Sequence, residues 1–270
     1  MSATTTKAIH IILLKREFQY LLAAIQFFTR IPLPTAVAHD SVTLNQALKY
    51  FPLVGWLVGG VCALTYYLAI DTWPASVAVL LSIVVGVLLT GALHEDGFAD
   101  SCDGFGGGWD KAQVLAIMKD PRIGNYAALG LILMLLLKTV LLIQLAGKSD
   151  ELVLIALLLA HSASRLLVLP LPWLLDYARE SDDSKSHTMV AGRFSGSMLA
   201  YGSLFVLLPL LYLQVPPLWY ALLNASIVAA LMGLYFKRRL GGYSGDCLGA
   251  TQQVTEVVIY LSLLGSWNSL

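Results

Sequence analysis

Seven stretches of this sequence are each apolar over nearly the length a helix needs to cross a bilayer, and that feature excludes most folds. They are residues 51–70, 74–93, 126–146, 151–174, 198–215, 217–236 and 253–267. A bilayer's hydrocarbon core takes roughly 20 helical residues. Inside it every backbone N–H and C=O must find its partner within the protein, which only helices and closed barrels achieve. Charge density agrees. Asp, Glu, Lys and Arg make up 13% of the 270 residues, about half of the ~25% found in an ordinary soluble domain. The predicted fold class is all-α: a polytopic integral membrane protein of about seven transmembrane helices, one domain over residues 1–270, with the lipid bilayer as its surroundings.

Residues 18–29 are apolar but short, fenced by Arg16 and by Arg30-Ile31-Pro32. They predict an N-terminal helix in the membrane interface. Residues 35–49 predict a polar loop. Pro170 and Pro172 predict a kink or an end to the fourth span, and Pro216-Pro217 a tight turn between the fifth and sixth. The run Ala8 to Leu14 is cut off by Lys15-Arg16-Glu17 with no small-residue cleavage site behind it, unlike a signal peptide.

Seven spans alternate sides, so the charges can be audited. The N-terminal region and residues 94–125, 175–197 and 237–252 carry nearly all the Lys and Arg, including Arg16, Arg30, Lys119, Arg122, Arg179 and Lys237-Arg238-Arg239. The opposite set of connections carries Lys148 alone. This asymmetry predicts a cytoplasmic N-terminus and cytoplasmic long loops. The chain balances 17 basic against 17 acidic residues, so there is no case for a nucleic-acid partner. Cys62, Cys102 and Cys247 form neither a metal-binding spacing nor an even disulfide set.

The chemistry concentrates in His94-Glu95-Asp96-Gly97-Phe98-Ala99-Asp100-Ser101-Cys102-Asp103-Gly104, straight after the second span. Massed carboxylates repel one another unless a cation sits between them. Asp96, Asp100 and Asp103 are spaced i, i+4, i+7, which places them on one face of a helix and turns Glu95 elsewhere. Mg²⁺ prefers oxygen ligands and is usually held by one or two carboxylates plus substrate phosphates. The three aspartates are therefore candidate metal ligands. Gly104 and the glycines after it would let backbone approach a phosphate. His94 is either a general base or an anchor for the helix end.

Asp110 is placed to cap an amphipathic helix through Met118. After it, Pro121-Arg122-Ile123-Gly124 can aim a guanidinium at phosphate. Lys138 and Arg165 lie inside spans, where a charge is expensive and usually functional. Either would neutralise a substrate phosphate, or snorkel or pair with a buried carboxylate, and His161 lies one turn before Arg165. A second glycine-rich stretch, Gly241 to Ala250, brings Gly245 and Asp246 to the same side. Asp246 is a fourth candidate metal ligand, and Glu256 either joins it or pairs with a basic residue. The loop 176–197, with Asp182, Asp183, Lys185, His187 and Arg193, reads as a solvated connection rather than a lid.

These motifs together resemble the cobalamin synthase family, the adenosylcobinamide-GDP ribazoletransferases. The resemblance rests on His94 through Asp100 with Asp103-Gly104, and on Ile117-Met118-Lys119-Asp120-Pro121-Arg122-Ile123-Gly124. Ser164-Arg165, Gly241-Gly242 through Gly245-Asp246 to Gly249-Ala250, Phe28-Thr29-Arg30-Ile31-Pro32 and Phe51-Pro52-Leu53-Val54-Gly55 complete it. It keeps motif order over nearly the whole chain and departs mainly at Glu95 and in the loop 176–197. It implies a multi-pass enzyme of the bacterial cytoplasmic (inner) membrane that joins adenosylcobinamide-GDP to α-ribazole or its 5′-phosphate, releasing GMP, with Mg²⁺ as cofactor. On that reading His94, Asp96 and Asp100 are catalytic. Asp96, Asp100, Asp103 and Asp246 hold the metal, and Arg122, Lys138, Arg165, Gly104 and Gly245 meet phosphate. A CDP-alcohol-type phosphotransferase is the alternative, although Ala99 is followed here by Asp100 rather than by arginine. A transporter using Lys138, Arg165 and Glu256 as a relay is a further one, without an inverted repeat to support it.

Overall fold

The computed structural model describes residues 3–33, 40–179, 194–213 and 215–267, and these are helical almost throughout. The helices are α1 (Ala3–Phe28), α2 (Ser41–Ala47), α3 (Phe51–Ile70), α4 (Ala75–Thr90), α5 (Leu93–Gly107), α6 (Lys111–Ile117), α7 (Asn125–Ala146), α8 (Asp150–Val168), α9 (Pro170–Leu174), α10 (Gly196–Leu213), α11 (Pro216–Leu240) and α12 (Gly245–Trp267). Six stretches are long and apolar enough to cross a membrane, and a seventh is reached if the bent pair α4–α5 is counted as one. The predicted span count and fold class therefore hold.

Four boundaries differ from expectation. The N-terminal helix is not confined to 18–29 but runs from Ala3 to Phe28, because straight-chain Lys15, Arg16 and Glu17 are good helix formers whatever their polarity. The polar loop 35–49 contains α2 and a 3₁₀ turn, Leu48–Tyr50. Asp40 caps α2 by accepting the Thr43 N–H at 2.9 Å. Pro216 and Pro217 do not sit in a free turn; they open α11, since proline's missing N–H is no loss in a first turn. The connection 237–252 shrinks to Gly241–Ser244, as α11 runs on to Leu240 and α12 begins at Gly245. The fourth span ends as anticipated, α8 stopping at Val168 with the short α9 beginning at Pro170.

Helix α8 is the axis of the bundle. Its span is 83% buried, whereas that of α7 is 22% buried. Gly55 and Gly59 let α3 approach it so closely that a Cβ at Gly55 would strike the His161 carbonyl, the small-residue contact typical of membrane helices. Ser162 Oγ donates to the Pro52 carbonyl at 2.9 Å across the same seam. Leu88, Leu133 and Leu231 point outward at 69%, 64% and 59% exposure, which suits lipid rather than water.

The end of α4 decides where the chemistry goes. Gly91 and Ala92 both adopt left-handed backbone, φ 65° and 57°, and the chain turns 89° into α5. The Arg30 N–H donates to the Leu89 carbonyl at 2.7 Å, and its side chain packs against Gly91. Helix α5 thus leaves the direction of the span and lies across one end of the bundle, beside α6 and the meeting of α11 with α12. Arg239 near the end of α11 donates to the Gly108 carbonyl at 2.7 Å.

Candidate active site

Glycine is a poor helix former, yet α5 contains Gly97, Gly104, Gly106 and Gly107. Packing explains two of them. A Cβ at Gly97 would lie 3.1 Å from the Asp246 backbone and 3.3 Å from Gly249 Cα, so α5 and the start of α12 meet backbone to backbone. A Cβ at Gly104 would fall 2.6 Å from Met118 Cγ. Gly104 therefore seats α6 and is buried; it does not face a cleft. Gly245 lines a chamber on the far side of α5.

The helical spacing of the acids is realised. Asp96, Asp100 and Asp103 line one open cleft of ≈ 420 Å³, with Lys119, Asp120 and Arg122 on its opposite wall. The three are not equivalent. Asp103 accepts the Gly124 N–H at 2.6 Å through one oxygen and the Ala127 N–H at 2.9 Å through the other. Gly124 is the N-cap residue of α7 and has no side chain, so Asp103 supplies the capping carboxylate from a neighbouring helix. Both of its oxygens are engaged.

Asp246 stands close by on α12 and is also engaged. It accepts from Arg179 at 2.7 Å and from Ser244 Oγ at 3.3 Å. Arg179 owes its place to a short clamp: Ala178 N–H donates to the Tyr243 carbonyl at 2.8 Å, and Tyr243 N–H to the Asp176 carbonyl at 3.0 Å. Sequence reading missed Arg179 as a site residue. Nothing in the spacing of residues 175–179 marks it, and the clamp is a contact between distant segments. The remaining loop residues singled out in the sequence, Asp182, Asp183, Lys185, His187 and Arg193, lie outside the described residues.

Asp96 and Asp100 are left without a hydrogen-bond partner among the described residues. Burial and the nearby Asp246 and Asp96 push the Asp100 carboxyl up to about 7, against an opposing pull from Arg179. Among the described residues no three His, Cys, Asp or Glu side chains converge to hold a metal ion unaided. Two uncompensated carboxylates one helical turn apart nonetheless fit Mg²⁺, which takes its remaining ligands from substrate phosphates and water. Arg122 is 87% exposed and lies on Asp120, with NH2 2.5 Å from Oδ2. That pairing turns the guanidinium along the cleft wall and leaves it accessible.

Lys138 and Arg165 are elsewhere, sealed inside the bundle. Lys138 Nζ lies 2.9 Å from Glu256 Oε1 and donates to Gln253 Oε1 at 2.7 Å. Glu256 also accepts from Gln252 at 2.8 Å and from the Tyr260 hydroxyl at 3.2 Å. Arg165 donates to the His161 carbonyl at 2.8 Å and lies over the Phe51 ring. The space among these groups is ≈ 20 Å³, about enough for a water and too small for a phosphate. For Lys138 the geometry selects pairing with a buried carboxylate, whereas Arg165 is held by the His161 carbonyl and the Phe51 ring. Glu95, expected from helical spacing to point away from the aspartates, borders their cleft as well, and its carboxylate reaches into this network, accepting from Gln253 at 3.1 Å. His94 is buried at 4% exposure beside Phe28 and Phe51.

A membrane bundle with an acid-lined cleft at one end, faced by Lys119 and Arg122, has the parts of a membrane-embedded phosphoryl-transfer enzyme. Comparison with known proteins narrows this further: the model for cobalamin-5-phosphate synthase matches residues 20–264, and the chain belongs to that family. A relative from Shewanella frigidimarina (strain NCIMB 400) is 44% identical over 251 residues, 92% of this chain and 95% of its own. One from Shewanella woodyi (strain ATCC 51908 / MS32) is 42% identical over 260 residues, 93% and 98% of the two chains. Both are named adenosylcobinamide-GDP ribazoletransferase. No solved structure matches.

Proposed function

We propose that this protein joins adenosylcobinamide-GDP to α-ribazole or its 5′-phosphate, giving adenosylcobalamin or its phosphate and GMP. Family membership supports the substrates. The observation that carries the site assignment is the pair Asp96 and Asp100, unpartnered on the wall of the open cleft. Displacement at a diphosphate asks for positioning and charge neutralisation more than for covalent chemistry. Asp96 and Asp100 would hold Mg²⁺, which when bound supplies charge neutralisation at the diphosphate. Arg122 binds the phosphate oxygens from the facing wall, with Lys119 beside it. Asp103 fixes α7, and Arg179 orients Asp246 toward the aspartate pair. Lys138 and Arg165 hold the bundle beneath the site together rather than touching phosphate.

The charge asymmetry of the connections supports a cytoplasm-facing cleft, and the proposed membrane is the bacterial inner membrane. The test is GMP release by purified Asp96→Asn and Asp100→Asn proteins in detergent with Mg²⁺. A rate reduced at least ~100-fold is expected, the loss typical of removing one well-placed electrostatic group. Near-wild-type rate with unchanged Mg²⁺ dependence would show that the pair is not the site.

A further inference from the structure

Asp96 stands in a wall between two cavities. One is the acid-lined cleft. The other is a chamber of ≈ 230 Å³ reached from the opposite side of α5. Phe28, Leu48, Phe51, Val168, Leu169 and Leu248 make it apolar over most of its surface, and it is polar only where His94, Asp96 and Asp246 meet. Three of its aromatic rings, those of Phe28, Phe51 and His94, are nearly parallel, while Phe27 stands edge-on to Phe28 at 75°. Phe28 and Phe51 stack at 4.0 Å and 21°, and Phe51 and His94 at 5.6 Å and 19°. His94 Nε2 is buried and has no hydrogen-bond partner among the described residues. Leaving such an atom unsatisfied is costly, so the chamber holds one polar demand at the end nearest Asp96.

We propose that this chamber binds the planar heteroaromatic base of the ribazole acceptor, with the ribose at the His94 end. The inference rests on the proposed transferase reading. Chemistry assigns the two substrates to the two cavities. Among the described residues no Lys or Arg lines the chamber, so a diphosphate finds no counter-charge on these walls. A flat, largely apolar ring needs none and gains from stacking. An apolar cavity of about 150 Å³ accommodates benzene, so this one has room for a bicyclic base. The acid-lined cleft with Lys119 and Arg122 is left for the diphosphate.

The arrangement also suits the reaction. In-line displacement requires the attacking and departing oxygens on opposite sides of the phosphorus, and the two cavities lie on opposite sides of Asp96. A ribose hydroxyl oxygen from the chamber forms the new bond to the phosphorus that carries cobinamide. The bond from that phosphorus to the bridging oxygen breaks, and GMP leaves with that oxygen through the cleft. The ribose hydroxyl is positioned by a hydrogen bond to His94 Nε2, and its proton leaves to water in the open cleft.

Val168→Phe fills the chamber without touching the cleft. Steady-state kinetics should show KM for α-ribazole raised about tenfold or more, with KM for adenosylcobinamide-GDP within about twofold. Equilibrium dialysis of labelled α-ribazole in Mg²⁺-free buffer should show the same loss of binding. Val168→Ala covers the case in which the larger side chain prevents folding. It should raise kcat/KM for a riboside with a bulkier aromatic base relative to α-ribazole. If either folded variant turns over with α-ribazole KM, binding and base preference all unchanged, the chamber is not the acceptor site. If wild-type protein binds α-ribazole but releases no GMP with both substrates present, the transferase reading fails while the binding site stands.

Discussion

Glu256 offers the sharpest test of how this bundle is held together. Glu256 is 2% exposed and is met by Lys138 at 2.9 Å, Gln252 at 2.8 Å and Tyr260 at 3.2 Å. Glu256→Gln keeps the shape and removes the charge, leaving Lys138 and Arg165 facing Glu95 alone. Breaking a buried pair from one side costs about 3–5 kcal/mol, because the surviving charge has no compensation. At about 2 °C per kcal/mol for a chain of this size, the apparent Tm in detergent should fall by about 6–10 °C. Lys138→Met should do similar harm from the other side. The double variant removes both charges and leaves Arg165 and Glu95 opposed in sign, so it should recover more than half of the loss. The measurement is thermal unfolding at fixed scan rate for the four proteins, read as a double-mutant cycle. Strictly additive losses would refute the reasoning, and so would single variants within about 1 kcal/mol of wild type.

Three further outcomes are expected. Gly97→Ala places a methyl 3.1 Å from the Asp246 backbone; the rate of GMP release should drop about 100-fold, the scale of a 1 Å misplacement, whereas the same change at the open Gly265 should be silent in that assay. Asp103→Ala should cost about 0.5–2 kcal/mol as a lost helix cap and leave the Mg²⁺ activation constant unmoved; a shifted constant with unchanged Tm would make Asp103 a ligand instead. For Asp100, with a carboxyl raised to about 7 by burial and by Asp246 and Asp96, the cation must displace a proton below that pH. Its affinity should therefore rise with pH up to about 7 and level off above, and titrating Mg²⁺ activation from acid to alkaline buffer would expose a flat profile as the contrary result.

Helix α5 shows how far local pattern reaches. The i, i+4, i+7 spacing placed Asp96, Asp100 and Asp103 on one face, and that is seen, because side-chain direction in a helix follows backbone geometry; Glu95, expected to point elsewhere, borders the same cleft while its carboxylate reaches the buried network. The same reasoning made three equal ligands of those aspartates. Asp103 differs because the end of α7, twenty-one positions on, brings two unsatisfied N–H groups to it. Lys138 was legible as a charge in a span, yet its partner Glu256 is 118 residues away on another helix, since 256 − 138 = 118. No spacing rule spans such a gap.

The sequence by itself determined the solvent, the seven apolar segments, the crowded face of carboxylates and, through its motifs, the family. These depend on composition and on the helical repeat, which are properties of each segment alone. Tertiary structure decided which carboxylates remain free. It turned α5 by 89° across the end of the bundle, pressed Gly97 onto Gly249, clamped Arg179 against Asp246 and set the apolar chamber behind Asp96. Each of those is a contact between segments far apart in the chain. A buried polar group must take whatever partner packing brings to it, so only the packed bundle could divide the aspartates into helix cap, paired carboxylate and free pair.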